Sequence, residues 1–405
     1  MAKPLEGVRI LEVAQAAFVP SAAQILVDWG AQVIKIEHPE HGDMARGIQV
    51  LGVDPHPSGL QYLWEIFNRG KRSVGLDVGH PDGRDALLRL VDQADVFMTN
   101  FLGKARARLQ IEPDDIRARN PQIIYARGTS HGPIGPDAEA GGYDSASYWA
   151  RAGMAVASMP VDYRYPIAIP GPSFGDSQCG TALAGAIAAA LYHRERTREG
   201  CVIDVSLLSA ALWAGQGTNV GACLSDGDVL PAHDRRRPSN PLVNTYRSSD
   251  GRFIMLGSLQ ADRYWPRFCE AIGRPELLVD ERFADSEGRR RNIEVCVELI
   301  DAAFAEHPLE HWVTVFKDVR LPFGVIQTPR GAQHDPQARL NGFVQDLTLG
   351  TGVTLPITIA PAIFDEEPPV PTPAPAHASN TDEVLGELGY SADQILQLRI
   401  DGAIT

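Results

Sequence analysis

Two short apolar runs, RILEV at 9–13 and VIKIE at 33–37, flank PSAAQILVDWG at 20–30, a stretch of helical composition. The runs are too short for helices and rich in β-branched residues, while the segment between them opens after Pro20 and stops at Gly30. Two strands joined by a helix lie parallel, because no tight hairpin can connect them and the crossover is right-handed. Residues 9–37 therefore commit this region to an α/β fold with a parallel sheet.

The pattern recurs. PDGRDALLRLVDQA at 81–94 leads as a helix into the strand-like DVFMTNF at 95–101, and PDDIRARN at 113–120, with Pro113 at a helix start, leads into QIIYARGT at 122–129. Residues 1–214 are expected to form the first part of a Rossmann-like large domain. The texture changes near residue 215, where NPLVNTYRSSDGRFIMLGS implies a hairpin about Asp250-Gly251. A smaller α+β domain is expected over 215–330. Residues 331–405 bring another strand-rich stretch, then EEPPVPTPAPAHA, too dense in proline for a helix or central strand, which reads as an extended surface strap. Ser391 reads as an N-cap of a final helix, so this C-terminal segment is expected to return to the large domain.

The chain has 405 residues, of which 44% are apolar, with a formal net charge of −14. Such an acidic balance excludes nucleic acid and anionic membranes as expected partners. The N-terminus lacks the apolar core of a signal peptide and no run reaches 18 apolar residues, so a soluble cytoplasmic protein is expected. Five dispersed cysteines without a CxxC pair read as reduced thiols, and no metal site is expected.

Glu37 ends the second strand as the ribose-binding acid of a dinucleotide fold would, yet AQAAFVPSAA at 14–23 lacks the G-x-G-x-x-G turn, which disfavours NAD. FNRGKRSVGLD at 67–77 groups Arg69, Lys71 and Arg72, and NFLGKARARL at 100–109 adds Lys104, Arg106 and Arg108. These clusters suit either the phosphates of a nucleotide-type ligand or a solvated charged face. EAGGYDSASYWARAGMA places Tyr143 and Asp144 after Gly141 and Gly142, a substrate-approach loop or a plain turn into a helix. Asp176, in GPSFGDSQCGTALAGAIAAAL, sits where a glycine-flanked loop enters a helix. It reads either as an N-cap or as an exposed carboxylate nucleophile. No G-x-S-x-G elbow supports a serine hydrolase.

LEGVRILEVAQAAFVPSAAQILVDWGAQVIKIEHPEHGDMARG, FNRGKRSVGLDV, NFLGKARARLQI, PQIIYARGTSHGPIGP, FGDSQCG, REGCVIDVSLLSAAL and NTDEVLGELG, in this order and spacing, resemble the class III coenzyme A transferases, which include formyl-CoA transferase and carnitine CoA transferase. The resemblance implies an interlocked homodimer and an acyl-CoA:carboxylate CoA-transferase that takes a CoA thioester donor and a carboxylic acid acceptor, with no prosthetic group. It makes Asp176 the nucleophile, passing through an acyl-aspartyl anhydride and an aspartyl-CoA thioester. Oxyanion donors are expected from the backbone near Gly141 and Gly142, beside Tyr143, or from the helix start. By position, Ala16, Ala17, His38, Leu76, Asn100, Phe101 and Arg108 fall in the CoA site. Ala17, His38 and Gly79 replace a glutamine, an arginine and a lysine of the formyl-CoA transferase pattern, so phosphate contacts are expected to shift to Arg72, Lys104 or Arg106. The small Ala16-Ala17 pair, and the lack of a glycine run near RRRPSNPLVNTY, suggest an acyl group larger than formate or oxalate. Two alternatives stay open. One is a 2-methylacyl-CoA racemase-like enzyme, although Tyr143 stands where that branch has histidine; the other is a non-catalytic acyl-CoA binder.

Overall fold

The computed structural model describes residues 3–48, 60–225 and 234–405, which divide into two compact units. The larger is drawn from 1–157, 167–230 and 335–405, the smaller from 158–166 and 231–334. The division thus falls later than the change of texture at 215, and a short upstream segment joins the smaller unit.

In the larger unit, strands β1 (Arg9–Val13), β2 (Gln32–Glu37), β3 (Arg72–Gly75), β4 (Val96–Thr99), β5 (Ile124–Thr129) and β6 (Val202–Ser206) form one parallel sheet in the order 3-2-1-4-5-6. Its helices are α1 (Phe18–Asp28), α2 (Tyr62–Asn68), α3 (Pro81–Val91), α4 (Gly103–Leu109), α5 (Pro113–Arg119), α6 (Met154–Ala157), α7 (Phe174–Thr197), α8 (Leu207–Ala214) and α9 (Gln216–Cys223). Helix α1 begins before Pro20, which occupies the first turn, where its missing N–H costs no hydrogen bond.

Alternation along the strands assigns their two faces. Ile10, Val96, Met98 and Ile124 pack with α1 and α7, while Leu11, Phe97 and Tyr125 pack with α3 and α5. Both faces are covered, so the strands read as nearly continuous apolar runs. Gly180 lets α1 and α7 touch: a Cβ there would lie 1.9 Å from Ser21 Oγ.

The smaller unit contains an antiparallel sheet of β7 (Thr245–Arg247), β8 (Phe253–Leu256) and β9 (Phe323–Val325), with the turn at Asp250-Gly251 between the first two. Helices α10 (Ala261–Ala271), α11 (Ser286–Arg291), α12 (Ile293–Phe304), α13 (Leu309–Asp318) and α14 (Pro329–Gln333) complete it. Its core is aromatic, with Tyr246 stacked on Phe304 at 4.9 Å and Trp312 tilted against Phe304 at 4.8 Å.

The C-terminal segment belongs to the larger unit. After α15 (Pro336–Leu340) and the hairpin β10 (Val344–Thr348) and β11 (Thr354–Thr358), the proline-rich strap runs over α2 and β3. Pro375 O accepts from Trp64 Nε1 at 3.1 Å, and Ala378 N–H donates to Ser73 Oγ at 2.8 Å. Helices α16 (Thr381–Glu387) and α17 (Ala392–Ile400) follow, the latter capped by Ser391. No helix among the described residues is long and apolar enough to cross a membrane.

Candidate active site

In a sheet of order 3-2-1-4-5-6, the connections leaving β1 and β4 diverge, which opens a crevice beyond their carboxyl ends. A cleft of about 480 Å³ lies there. Its walls come from the β1–α1 loop (Gln15–Phe18), the residues after β4 (Asn100–Leu102), the end of β5 (Gly128–Ser130), the loop carrying Gly141–Tyr143, and Asp176.

Each wall is fixed by side-chain hydrogen bonds to backbone. Asn100 accepts from Gln15 N–H at 3.0 Å and donates to Gln15 O at 2.7 Å. Ala16 holds a left-handed φ of 63°, a conformation that disfavours a β-carbon, and its N–H donates to Asp43 Oδ1 at 3.0 Å. Asp43 is in turn held by Lys35 at 2.7 Å, and Lys35 by Glu12 at 2.7 Å. Glu12 also meets Lys71 at 2.6 Å, with both side chains fully buried. Burial pulls the Lys71 ammonium down to about 8 against the attraction of Glu12. This buried network under the β1–α1 loop accounts for Lys71, and Arg69 is likewise buried against Asp28 at 2.5 Å. Arg69 and Lys71 are therefore turned to buried carboxylates and not to solvent.

The loop from Glu139 to Asp144 spans two helix N-termini. Glu139 Oε2 accepts the Lys104 N–H of α4 at 3.0 Å. At the other end, both oxygens of the buried Asp144 accept the Gly175 N–H of α7, at 2.9 and 3.0 Å. Gly175 must lack a side chain, since a Cβ would stand 2.3 Å from Asp144 Oδ1. Between these anchors, Gly142 O accepts from Ser130 Oγ at 3.0 Å, and a Cβ on Gly142 would lie 2.2 Å from Ser147 Oγ. Ser147 Oγ is paired with His131 Nε2 at 3.1 Å.

Asp176 therefore does not cap its own helix. It is the third residue of α7, whose flanking Ser173 also makes no side-chain cap, and Asp144 supplies the carboxylate that the helix N-terminus calls for. The Asp176 carboxyl is left facing the cleft. Burial, and then the neighbouring Asp144, push it up to about 7. A carboxylate that has lost much of its hydration and titrates near neutrality is a stronger nucleophile than one in water.

The structure brings Ala16, Ala17, Asn100, Phe101, Arg106, Gly141, Gly142, Tyr143 and Asp176 to one cleft, and does not bring the remaining candidates there. Arg72 begins β3 and so lies at the opposite, amino end of the sheet, ion-paired with Glu387 at 2.6 Å and Glu383 at 3.2 Å. Leu76 is enclosed in the core, bridged to Ile404. His38 follows β2, stacks on His41 at 4.6 Å, and its carbonyl accepts from His377 at 3.0 Å. Lys104 and Arg108 are exposed on α4. Arg106 reaches the cleft, but its guanidinium is buried and bonded to Phe101 O and Glu112. Sequence reasoning missed three positioning residues: Asp43, His131, and the capping role of Asp144. Only Asp144 carried a signal, its place directly after Gly-Gly-Tyr.

The family model for CoA-transferase family III matches residues 5–381. The chain is 33% identical over 395 residues to (R)-2-hydroxy-4-methylpentanoate CoA-transferase of Clostridioides difficile, covering 96% of this chain and 97% of that protein. It is 29% identical to cinnamoyl-CoA:phenyllactate CoA-transferase of Clostridium sporogenes over 98% of this chain and 96% of the relative. It is also 29% identical to succinate–glutarate CoA-transferase of Agrobacterium fabrum, over 95% and 96%. Among solved structures, a CAIB/BAIF family protein from Brucella suis superposes with a TM-score of 0.82 at 27% identity, covering 96% of this chain and all of that one. Rv3272 from Mycobacterium tuberculosis gives 0.80 at 31% identity, covering 95% and 99%. A match across nearly the whole length, in sequence and in fold, places this chain in family III of the CoA-transferases.

Proposed function

We propose that this protein is an acyl-CoA:carboxylate CoA-transferase working through covalent intermediates on Asp176. The observation that carries the reading is the division of labour at α7: Asp144 caps the helix, and Asp176 presents a desolvated carboxylate to the cleft.

Asp176 attacks the donor thioester carbonyl and expels CoA thiolate, forming an acyl-aspartyl anhydride. The thiolate then attacks the aspartyl carbonyl, releasing the donor acid and leaving an aspartyl-CoA thioester. The acceptor carboxylate attacks that thioester and regenerates the thiolate. The thiolate finally takes the acceptor acyl group from the second anhydride and restores the Asp176 carboxylate. Every step is an acyl transfer with a good leaving group, which a direct exchange between two acids lacks. Backbone N–H groups of the Gly141–Gly142 loop are suited to the tetrahedral oxyanions, since Ser130 and Ser147 fix that loop before substrate arrives.

Asn100, Phe101, Ala16 and Ala17 are assigned to the pantetheine arm, and the exposed Lys104 and Arg108, with His38, to the phosphate end. The protein acts as a homodimer in this reading, which would cover Leu212 and Trp213 on α8, Val220 on α9 and Leu224 just after it, all exposed in the single chain. The names of the relatives span monocarboxylic and dicarboxylic acids, so they do not choose the acyl group.

The test is incubation of the purified protein with a panel of acyl-CoA esters without acceptor, followed by intact and peptide mass measurement. An acyl or CoA adduct on the peptide bearing Asp176, absent from Asp176→Ala, is expected. Binding of CoA esters with no adduct would overturn the reading.

A further inference from the structure

Asp43 joins two segments of the cleft wall that are separate in the chain. Its Oδ1 accepts the Ala16 N–H of the β1–α1 loop at 3.0 Å and the Ala45 N–H of the 3-10 turn Met44–Arg46 at 2.8 Å. Ala16 and Met44 both line the cleft. The other oxygen, Oδ2, faces the Lys35 ammonium at 2.7 Å, and the Asp43 N–H donates to Glu37 Oε2 at 3.0 Å. Lys35 also donates to Ala14 O at 2.9 Å, so the loop is gripped on both sides of Gln15.

Capping the 3-10 turn asks for less than this. Serine or asparagine would serve the Ala45 N–H without a carboxylate 2% exposed against a fully buried lysine. The informative bond is the one to Ala16, whose φ of 63° is a conformation that an alanine leaves unless its neighbours hold it there. Backbone strain of this kind collects where geometry serves a ligand. In Asp43→Asn the amide must turn its NH2 either to Lys35 or to the two N–H groups, a donor facing donors in each case. The site therefore asks for a carboxylate, which accepts on both sides.

We propose that Asp43 is a positioning residue for the CoA thioester: it holds Ala16 in the left-handed region and fixes Met44 beside it, so that this wall is formed before the ligand arrives. Lys35 keeps the Asp43 carboxylate aimed. The inference rests on the reading of this cleft as the acyl-CoA site. Binding then spends little free energy on ordering the loop.

The experiment titrates the full-length protein with free coenzyme A by calorimetry and measures Asp176 acylation at saturating butyryl-CoA. Asp43→Ala and Asp43→Asn are expected to raise Kd about ten-fold, with the acylation rate at saturation within about three-fold of wild type. Adding Ala16→Gly to either variant is expected to recover most of the affinity, because glycine enters the left-handed region without penalty. A merely structural Asp43 would lower Tm with no such recovery. Ala16→Gly alone is expected to raise Tm by about 1–2 °C, a measurement that does not depend on the Asp43 variants folding. Unchanged Kd in both Asp43 variants, no recovery on adding Ala16→Gly, or a lower Tm for Ala16→Gly alone would each overturn the inference. Wild-type protein that binds no coenzyme A would overturn the acyl-CoA reading with it, whereas binding without an Asp176 adduct would overturn the transferase reading alone.

Discussion

Both carboxylate oxygens of Asp144 accept the N–H of Gly175, one residue ahead of Asp176. Two acids thus meet at one helix N-terminus with unequal environments. Asp144 has the helix amides, and burial nevertheless raises it above the ordinary aspartate range. Asp176 has burial and the Asp144 charge, and rises further. The separation of roles comes from environment, since the side chains are identical.

Removing the cap tests this separation. Asp144→Ala is expected to destabilise the protein by about 1–2 kcal/mol, the usual cost of losing a helix cap. In Asp144→Asn the negative neighbour disappears, so the midpoint of Asp176 ionisation moves down. The single-turnover acylation rate is expected to rise through a pH of about 7 and then level in the wild type, and to rise at lower pH in the variant. An unchanged midpoint would show that Asp144 does not act on Asp176.

Linkage gives a second measurement. The native state holds the Asp176 proton up to about 7, while an unfolded chain releases it near 3.8. The native state therefore binds more protons between these values and loses stability as pH rises through them. Asp176→Asn removes that loss, so its thermal stability relative to wild type is expected to grow from pH 4 to pH 8, by on the order of 2–4 kcal/mol. A pH-independent difference in Tm would contradict the raised pKa.

The two glycines of the loop respond differently to a methyl group. At Gly142 a Cβ meets Ser147 Oγ at 2.2 Å and Ser130 Cβ at 3.0 Å, whereas at Gly141 nothing lies within 4 Å. Gly142→Ala is expected to lower kcat about 10–100-fold by moving an oxyanion donor, and Gly141→Ala to have little effect. Adding Ser147→Ala to Gly142→Ala is expected to restore part of the rate, because it removes the colliding oxygen.

Arg72 is expected to be irrelevant to CoA. Arg72→Ala leaves KM for the acyl-CoA unchanged and costs about 0–1 kcal/mol, the range for a partly exposed ion pair. A rise in KM alone would return Arg72 to the phosphate site.

The parallel sheet and its helices were legible because they rest on local patterns. Apolar runs such as RILEV, the proline at the start of α5, Ser391 before α17 and the density of proline in the strap each act over a few residues. Asp176 was legible as an acid at a loop–helix junction, and that position supports either role with equal ease. What separated the roles lies 32 positions upstream, at Asp144, and only the packing of the π-helical turn at Asp144–Ala150 on α7 brings it there.

The basic residues make the same point from the other side. Their charge and spacing could be read directly, but Arg69 and Lys71 find acids buried beneath the sheet loops, and Arg72 pairs with Glu383 and Glu387 at the amino end of its strand. The chain by itself determined which segments become strands and helices, because that follows from periodicity and breakers. The tertiary structure decided which carboxylate is satisfied and which is left to react. That depends on hydrogen-bond partners and burial contributed by residues distant in sequence.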